Sequence, residues 1–526
     1  MKILVADALS NHGMEILEKE DGLQVDLKTG LSEDELIGCI PDYDGIIVRS
    51  QTKVTKKIIE AAKNLRIIGR AGVGVDNVDI DSATEHGTVV MNAPTGNTIS
   101  TAEHTVAMML ALARNIPEAA FSLKEGKWER KKFMGVELFG KVLGVIGLGR
   151  IGNEVAKRGM VFGMRVIGCD PYIPPETLKR TGVEPVDLKT LFSEADYITV
   201  HVPLTQETEH LIGEKEFVQM KQGVRILNCA RGGIIDEIAL YKAIKDEKVA
   251  GAAFDVFEKE PPAGNPLIEL KEVIATPHLG ASTKEAQVGV AVDIAHQTID
   301  FLKRGIIRNA VNLPPIEPKI FEALRPYFTL AEKLGSLGSQ LAEGRIKVAS
   351  INYTGENLAE EVNMITPAFL RGILEPILKE AVNYVNAPLV AKKRGIKVVE
   401  SKTSQIEDYT NLLSIELETD NSRVKVAGTL FGKKEARIVR IDGYRVDAIP
   451  EGDMLICHHE DKPGIIGRIG ALLGEASINI AGMTLGREAR GGKEMTVLNI
   501  DSQVSEKMLL EIKKDKDILD VKQVKL

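Results

Sequence analysis

A glycine-rich turn between an apolar run and a helical pattern constrains this chain more than any other feature. Residues 141–152 read KVLGVIGLGRIG, a short strand that leads into Gly147-x-Gly149-x-x-Gly152, and Asp170 ends the next apolar run. Strand, turn, helix start and acidic residue together match the dinucleotide-binding fingerprint. The glycines let the backbone approach a pyrophosphate at a helix N-terminus. Asp170 would accept hydrogen bonds from the ribose hydroxyls and repel a 2′-phosphate, so the pattern predicts NAD rather than NADP.

Short apolar runs continue on both sides of this turn. They end in small or polar residues, and helical stretches separate them, which predicts a doubly wound parallel sheet with ligands at the carboxyl ends of its strands. The runs before the turn, 45–49 and 66–72, predict a further βαβ unit. Long helical patterns at 98–114 and 283–305 carry the chain between the two units. We therefore expect a Rossmann-type domain inserted in a flavodoxin-like substrate domain.

The chain continues well beyond these two units. Clustered prolines after residue 313 break regular structure and mark a boundary. An α+β middle domain is expected next, and the last segment has the βαββαβ order of a ferredoxin-like fold. The predicted boundaries are 1–98 and 285–313 for the substrate domain, 99–284 for the dinucleotide domain, 319–450 for the middle domain and 453–526 for the tail.

Composition excludes several classes of protein. The 526 residues correspond to three or four domains. A net charge of −8 and only 4% aromatic residues do not suit bulk nucleic-acid binding. The four cysteines form no C-x-x-C pair, so we expect neither a structural metal site nor a disulfide framework. Without a signal-peptide core or a long apolar run, the chain is predicted to be cytoplasmic, with no membrane partner.

Three polar residues follow the ends of later strands. Arg231 follows ILNCA, Glu260 precedes two prolines, and His278 follows VIATP. An arginine holds a carboxylate with its planar fork. A histidine moves a hydroxyl proton near neutral pH, and a carboxylate beside it holds its orientation and stabilises its charged form. A single Arg, Glu or His at the end of a strand more often has a structural role than a catalytic one. Their joint position beside a dinucleotide fold predicts the catalytic set of a hydroxy-acid oxidoreductase.

The segments NCARGGIIDE, FDVFEKEPP and TPHLGAST, at 228–237, 254–262 and 276–283, resemble the signatures of the D-isomer-specific 2-hydroxyacid dehydrogenases. GKWERKKFMGVEL at 126–138 and RAGVGVDNVD at 70–79 resemble the members that act on phosphoglycerate. Residues 386–400 are similar to the middle domain of their long form, and 461–483 resemble an ACT domain. The resemblance implies oxidation of 3-phospho-D-glycerate to 3-phosphohydroxypyruvate, the first step of L-serine synthesis.

The resemblance also implies roles for particular residues. It places catalysis on Arg231, Glu260 and His278, in agreement with the argument from strand ends. The NAD contacts that it implies are Gly147, Gly149, Arg150, Ile151, Gly152, Asp170, Cys229, Asp255, Gly280 and Ala281.

A substrate phosphate needs cations, and the candidates are Arg49, Arg70 and Arg130. Arg49 and Arg70 end strands of the first domain, so they face the cleft by the strand-end rule. Arg130 lies in WERKK, which suits an exposed basic turn equally well. The resemblance favours all three as phosphate ligands.

The tail has two interpretations. His459, Asp461 and Asn479 stand where ACT domains bind an amino-acid effector between subunits, which implies L-serine. Alternatively, the tail serves only oligomerisation. The resemblance suggests a homotetramer, although no pattern in the sequence itself indicates the number of subunits.

Two other functions remain open from the sequence. A glyoxylate or hydroxypyruvate reductase on this scaffold should lack the phosphate arginines and the two C-terminal domains. A non-enzymatic, dinucleotide-sensing interaction protein should have a degraded Arg–Glu–His set or a disordered tail.

Overall fold

The computed structural model describes residues 1–314, 318–355, 365–378, 382–404, 408–432 and 434–526, without the side chains of 318, 319, 321 and 322. Its strands form four sheets, which follow one another along the chain.

The first sheet is parallel and has the strand order β2-β1-β3-β4-β5, the flavodoxin-like arrangement. Its strands are buried apolar runs such as Ile3 to Val5 and Ile46 to Val48, as expected for a sheet covered on both faces. Its elements are β1 (Lys2–Val5), α1 (Asn11–Glu18), β2 (Gln24–Leu27), α2 (Glu33–Cys39), β3 (Gly45–Val48), α3 (Lys56–Ala61), β4 (Ile67–Arg70), α4 (Ile80–His86) and β5 (Val89–Asn92).

The second sheet is also parallel, in the order β12-β11-β10-β9-β6-β7-β8. The order reverses at β6, and ligands bind at such a switch point in doubly wound folds. Its elements are α5 (Thr98–Arg114), α6 (Ile116–Lys124), β6 (Val142–Ile146), α7 (Arg150–Val161), β7 (Arg165–Cys169), α8 (Pro175–Arg180), β8 (Glu184–Pro185), α9 (Leu188–Glu194), β9 (Tyr197–Val200), α10 (Glu214–Gln219), β10 (Val224–Asn228), α11 (Glu237–Lys245), β11 (Val249–Phe254) and β12 (Val273–Ala275).

The helix α12 (Lys284–Arg304) returns the chain to the first sheet. The Thr283 hydroxyl accepts from the Ala286 amide at its start, and Gly305 ends it with a φ of 68°. It packs closely on α1, because a Cβ added at Gly13 would lie 2.8 Å from the Ala291 Cβ. The inserted dinucleotide domain is therefore attached through α5 and α12.

The third sheet belongs to the middle of the chain and has the order β14-β13-β15-β16-β17-β18. All its neighbouring pairs are antiparallel except β13 with β14. Its elements are α13 (Pro318–Leu341), β13 (Ile346–Thr354), α14 (Ile365–Leu374), α15 (Ala387–Lys393), β14 (Lys397–Thr403), β15 (Leu412–Thr419), β16 (Arg423–Phe431), β17 (Glu435–Ile441) and β18 (Tyr444–Ala448).

The tail forms the fourth sheet, in the antiparallel order β20-β21-β19-β22. Its elements are β19 (Asp453–Glu460), α16 (Ile465–Glu475), β20 (Ile480–Arg487), β21 (Lys493–Ile500), α17 (Glu506–Lys513) and β22 (Ile518–Lys525). The predicted fold class is confirmed, including the ferredoxin-like tail.

One further observation concerns membranes. In the described part of the chain, no single helix is long and apolar enough to cross a bilayer, and α5 and α6 pass that test only together, across a 65° bend.

Candidate active site

The predicted fingerprint forms a tight turn between β6 and α7. Gly147 has a φ of 86°, a conformation that favours glycine. A Cβ added at Gly152 would overlap the Gly147 carbonyl oxygen, so the third glycine lets the helix start close to the turn. Among the described residues, a Cβ at Gly149 would meet nothing within 4 Å, and no side chain caps α7. The N-terminal amides of α7 therefore face open space, where a pyrophosphate fits.

Asp170 lies beside this turn, as predicted. Its Oδ2 accepts a hydrogen bond from the Leu148 amide at 2.8 Å, and its Oδ1 accepts from the Tyr172 amide at 2.9 Å. Each carboxylate oxygen has a second lone pair, which is available to a ribose hydroxyl. The same negative charge disfavours a 2′-phosphate at this position.

Arg231 projects from the loop that follows β10. The side chain of Asn228 fixes that loop, because its amide nitrogen donates to the Arg231 carbonyl and its oxygen accepts from the Ala230 amide. The Arg231 Nε lies 3.1 Å from an Asp76 carboxylate oxygen of the first domain. A carboxylate thus already occupies the Nε side of the guanidinium that should bind a substrate carboxylate.

Glu260 and His278 meet across two loops of the dinucleotide domain. The His278 Nδ1 lies 2.9 Å from a Glu260 carboxylate oxygen. The Phe257 amide donates to the other oxygen at 3.2 Å, which orients the carboxylate. Glu260 therefore binds the Nδ1 side of the ring, and the Nε2 side is left to face a substrate. This is the arrangement required of a general base with an orienting carboxylate.

Asp255 holds the loop that carries His278. Its carboxylate accepts from the amides of Leu279 and Gly280, at 2.6 and 2.8 Å, and from the Thr276 hydroxyl at 2.6 Å, and the His104 Nε2 lies 3.2 Å away. Burial raises the pKa of Asp255, but hydrogen bonds from His104, Thr276 and the two amides outweigh it, so its pKa is lowered. The sequence predicts Asp255 as an NAD contact, and the structure places it beneath this loop.

Arg49 and Arg70 lie at the carboxyl ends of neighbouring strands, β3 and β4, as predicted. Arg70 is largely buried, and its Nε has no hydrogen-bond partner among the described residues. Burial and then the nearby charge of Arg231 lower the pKa of Arg70 to about 10, Arg49 adds to that effect, and the carboxylates of Asp76 and Asp7 partly offset it. These three guanidinium groups are therefore close enough to repel one another, and a multiply charged anion would relieve that repulsion.

The loop after β4 makes room for these cations. A Cβ added at Gly72 would overlap the Arg70 Nη1, and one added at Gly74 would overlap the Arg231 Nη2. The pair lacks the third glycine of a dinucleotide fingerprint, so it does not predict a second cofactor turn. In RAGVGVDNVD the paired glycines beside an arginine instead mark a close approach of side chains to backbone.

Sequence reasoning missed two acidic residues of this cluster. Asp7 is buried and accepts from the amides of Arg49 and Thr52, at 2.6 and 3.2 Å. Asp76 pairs with Arg231, as described above. Asp7 follows the first apolar run, so the strand-end rule would have found it. Asp76 had no such signal, because its partner lies in another domain.

The other predicted cofactor residues surround the glycine turn and the His278 loop. Arg150 is exposed at the start of α7, Ile151 is half-buried, and Ala281 is exposed. The Gly280 carbonyl accepts from the Ser100 hydroxyl at 2.8 Å. Cys229 is buried, and burial with the charge of Asp255 raises the pKa of its thiol to about 12, so the thiol stays protonated.

Arg130 lies apart from the other two predicted phosphate ligands. It is exposed on a turn after α6, and its neighbours Glu129 and Lys132 line a cleft with Arg225 at the start of β10. Arg231 follows the other end of β10, and a five-residue strand spans roughly 16 Å. Within one chain, the structure therefore does not bring Arg130 to the cluster formed by Arg49 and Arg70.

The predicted effector residues of the tail differ in exposure. His459 is buried, its Nε2 lies 2.7 Å from the Thr496 hydroxyl, and its Nδ1 lies 2.8 Å from the Glu460 carbonyl. Both of its ring nitrogens thus have protein partners. Asp461 accepts from the Gly491 amide, and the Asn479 side chain donates to Asp501. The last two contacts are exposed, so these side chains can reach a ligand, whereas the His459 ring cannot without rearrangement.

Comparison with protein-family models gives three matches along the chain. Residues 106–280 match the D-isomer specific 2-hydroxyacid dehydrogenase NAD-binding domain. Residues 323–442 match the D-3-phosphoglycerate dehydrogenase intervening domain, and residues 454–517 match the ACT domain.

Whole-chain relatives and solved structures agree with these matches. The D-3-phosphoglycerate dehydrogenases of Archaeoglobus fulgidus and Methanocaldococcus jannaschii are 51% and 48% identical, each over 100% of both chains. That of Bacillus subtilis is 44% identical over 100% of this chain and 99% of its own.

Among solved structures, the D-lactate dehydrogenase of Aquifex aeolicus, complexed with NAD and lactic acid, is 30% identical. It has a TM-score of 0.52 and covers 60% of this chain and 100% of its own. The NAD-complexed formate dehydrogenase of Staphylococcus aureus is 31% identical, with a TM-score of 0.52, over 58% of this chain and 96% of its own. By its whole-chain identity to the enzymes of Archaeoglobus fulgidus, Methanocaldococcus jannaschii and Bacillus subtilis, the chain belongs to the D-3-phosphoglycerate dehydrogenases of the D-isomer specific 2-hydroxyacid dehydrogenase family.

Proposed function

We propose that this protein oxidises 3-phospho-D-glycerate to 3-phosphohydroxypyruvate with NAD, the first step of L-serine biosynthesis. One observation carries the proposal: Arg231, Glu260 and His278 follow the carboxyl ends of β10, β11 and β12 in one parallel sheet, and Arg231 lies near the partly buried Arg70 and Arg49 of the first domain. A hydroxy acid with a phosphate at its far end fits such an arrangement. The full-length identity to enzymes of that name supports the same substrate.

The proton and the carboxylate are handled by three side chains. Arg231 binds the substrate carboxylate with its planar fork once Asp76 withdraws. His278 takes the proton of the C2 hydroxyl on its Nε2, because its Nδ1 is engaged by Glu260. Glu260 stabilises the positive charge that then develops on the ring. In the reverse direction the same imidazolium returns the proton to the keto oxygen.

The phosphate is bound by Arg70 and Arg49. The orphaned Nε of Arg70 gains a partner, and the repulsion among the clustered guanidinium groups is relieved. This gain is specific to a substrate with a second anionic group, so it favours phosphoglycerate over the smaller acids glycolate and D-glycerate.

NAD fits the turn formed by Gly147, Gly149 and Gly152 and the carboxylate of Asp170, which would hold its pyrophosphate and its ribose. When bound, it supplies the acceptor for the C2 hydride. The loop that carries the His278 ring is held in place by hydrogen bonds from the Leu279 and Gly280 amides to the Asp255 carboxylate.

An absorbance assay at 340 nm tests the proposal. With 3-phosphohydroxypyruvate and NADH, turnover is expected, and glyoxylate should be a poor substrate. Turnover with glyoxylate and none with the phosphorylated acid would favour the reductase alternative. No turnover with either would favour a non-enzymatic, dinucleotide-sensing role.

We also propose that the chain assembles as a homotetramer and that its ACT domain responds to L-serine. The segment after α5 exposes Phe121, Trp128 and Met134, whose relative residue exposures are 61, 77 and 82%, and such a surface suits a second copy. The role predicted for Arg130 depends on that assembly, because Arg130 lies far from the other phosphate ligands of its own chain.

Inhibition of turnover by millimolar serine would support serine as the effector of the ACT domain. Turnover that does not change with serine would indicate that the tail serves only in assembly. The cytoplasmic location stays a prediction.

A further inference from the structure

A second cleft lies between the first domain and the middle domain. Its volume is about 540 Å³, within the range of roughly 300–1,000 Å³ that is typical of small-molecule sites. The first domain contributes the segments before β4 and β5 and the end of α12, and the middle domain contributes α13 and the segment 383–385. None of these lining residues belongs to the candidate active site.

The two walls of this interdomain cleft are bonded to each other. The Asn383 side-chain nitrogen donates to the Gly87 carbonyl at 2.7 Å. Nearby, the Lys393 ammonium lies 2.7 Å from a Glu85 carboxylate oxygen. The cleft is therefore built by specific contacts between the two domains.

The rim of the interdomain cleft is positively charged. Lys63, Arg66, Arg304 and Arg325 line it, and no carboxylate lines it among the described residues. Arg304 pairs with Asp300 at 3.1 Å. Lys63 and Arg325 form no ion pair with a described carboxylate, and both are exposed. Lys63, Arg66 and Arg325 thus lack a described carboxylate partner, so an anion bound between them gains charge-assisted hydrogen bonds and relieves their mutual repulsion.

The floor of the same cleft is apolar. Leu65, Ile307, Phe328 and Val385 are buried beneath it. The ring of Phe301 forms part of one wall, with the Arg66 guanidinium carbon 5.7 Å from its centroid. Small-molecule sites combine such apolar linings with a few placed polar groups. A compact inorganic anion would use only the rim, whereas an anion with an aromatic or aliphatic body would use both.

The cleft and the substrate site lie at opposite ends of one strand. Arg66 directly precedes β4 and lines the cleft, whereas Arg70 ends β4 and belongs to the phosphate cluster. At about 3.3 Å per residue, the two α-carbons are roughly 13 Å apart. A ligand of the cleft would therefore not compete with phosphoglycerate for the same space.

From these observations we propose that the interdomain cleft binds an organic anion with an apolar or aromatic body, at a site separate from the active site. The carboxylate, phosphate or sulfonate of the ligand lies at the Lys63, Arg66 and Arg325 rim, and its body lies between the Phe301 wall and the Phe328 floor.

Calorimetric titration of the full-length protein tests this proposal, with 1-naphthyl phosphate as the probe and NADH present to fill the cofactor site. We expect one probe per chain, with no displacement by saturating 3-phosphoglycerate. Neutral 1-naphthol and inorganic phosphate should each bind at least about tenfold more weakly, because each uses only half of the cleft.

Charge-reversal variants locate the site. Arg325→Glu and Lys63→Glu should each weaken probe binding at least about tenfold, whereas Lys189→Glu, an exposed lysine on the dinucleotide domain, should leave it unchanged. Two cleft variants are used so that poor folding of one does not decide the result, and turnover at 340 nm should be retained in both.

The proposal is overturned if the probe does not bind, if 3-phosphoglycerate displaces it, if naphthol binds as tightly, or if neither cleft variant weakens binding. These outcomes are independent of turnover at 340 nm, so a failure of this proposal is distinguishable from a failure of the proposed dehydrogenase activity.

Discussion

Replacing Glu260 by glutamine isolates the charge that faces His278. The substitution keeps the size and one acceptor oxygen but removes the negative charge 2.9 Å from the His278 Nδ1. At that separation, two unit charges interact by about 1.4 kcal/mol in water and by about 6 kcal/mol at an effective dielectric constant of 20. Both side chains are exposed to a large extent, 51% for His278 and 40% for Glu260, which discounts the value towards the lower limit.

We therefore expect Glu260→Gln to lose roughly 2–3 kcal/mol of transition-state stabilisation. This corresponds to a fall in kcat of about 30- to 150-fold. The Michaelis constant for NAD should change little, because Glu260 lies away from the glycine turn. Steady-state kinetics at 340 nm measures both quantities.

The chain offers a matched control for this substitution. Glu258, two residues earlier on the same loop, lies 3.0 Å from the His210 Nε2, and these side chains are 41% and 47% exposed. Glu258→Gln removes a glutamate–histidine charge pair of the same geometry, yet it should leave kcat within about twofold, as for an ordinary surface pair. Equal losses of kcat in the two variants would refute the assignment of Glu260 to the catalytic set.

Three further predictions follow from the geometry. Arg49→Ala and Arg70→Ala should each raise the KM for 3-phosphoglycerate by roughly 10- to 100-fold, because each removes a charge-assisted contact to the phosphate, and should leave the KM for NAD nearly constant. Equal effects in steady-state kinetics would contradict this. Gly72→Ala should also weaken phosphoglycerate binding, because its Cβ would overlap the Arg70 Nη1, whereas Gly467→Ala meets nothing within 4 Å and should be silent in the same assay.

The last of the three concerns acid stability. Burial lowers the pKa of His201 to about 4. Because the pKa of His201 is lower in the folded chain, its contribution to the free energy of unfolding is fully present above the unfolded pKa of about 6.5 and is lost as the pH falls towards 4. The loss between pH 7 and pH 5 is roughly 2 kcal/mol. In urea unfolding of the full chain, His201→Gln should therefore lose less free energy of unfolding between pH 7 and pH 5 than the unsubstituted protein. An unchanged pH dependence would count against this role of His201.

Local patterns were enough to predict much of this protein. The spacing of the fingerprint glycines with Asp170, and the polar residues at the ends of apolar runs, led to the fold class and to the pairing of Glu260 with His278. The reason is that a parallel sheet collects the carboxyl ends of its strands at one edge. Residues distant in the chain therefore meet in a manner that the strand pattern alone predicts.

Contacts between domains were not predictable in this way. Asp76 and Arg231 lie 155 positions apart and meet only because the two domains close on each other. Within single domains, too, the sequence did not reveal that Arg130 lies near the opposite end of β10 or that His459 is buried with both ring nitrogens engaged, because each placement depends on packing between distant segments. No local pattern encodes the relative placement of two packed units.

By itself, then, the sequence determined the cofactor turn and the three catalytic candidates, because these depend on spacing along the chain and on position at the ends of strands, and the resemblance of its motifs indicated the family. The tertiary structure alone decided which charges of different domains lie near each other: Arg231 beside Arg70 at the substrate end of β4, and the cations of the interdomain cleft at its other end. Electrostatic interactions depend on distance in space, and only the packing of the domains sets those distances.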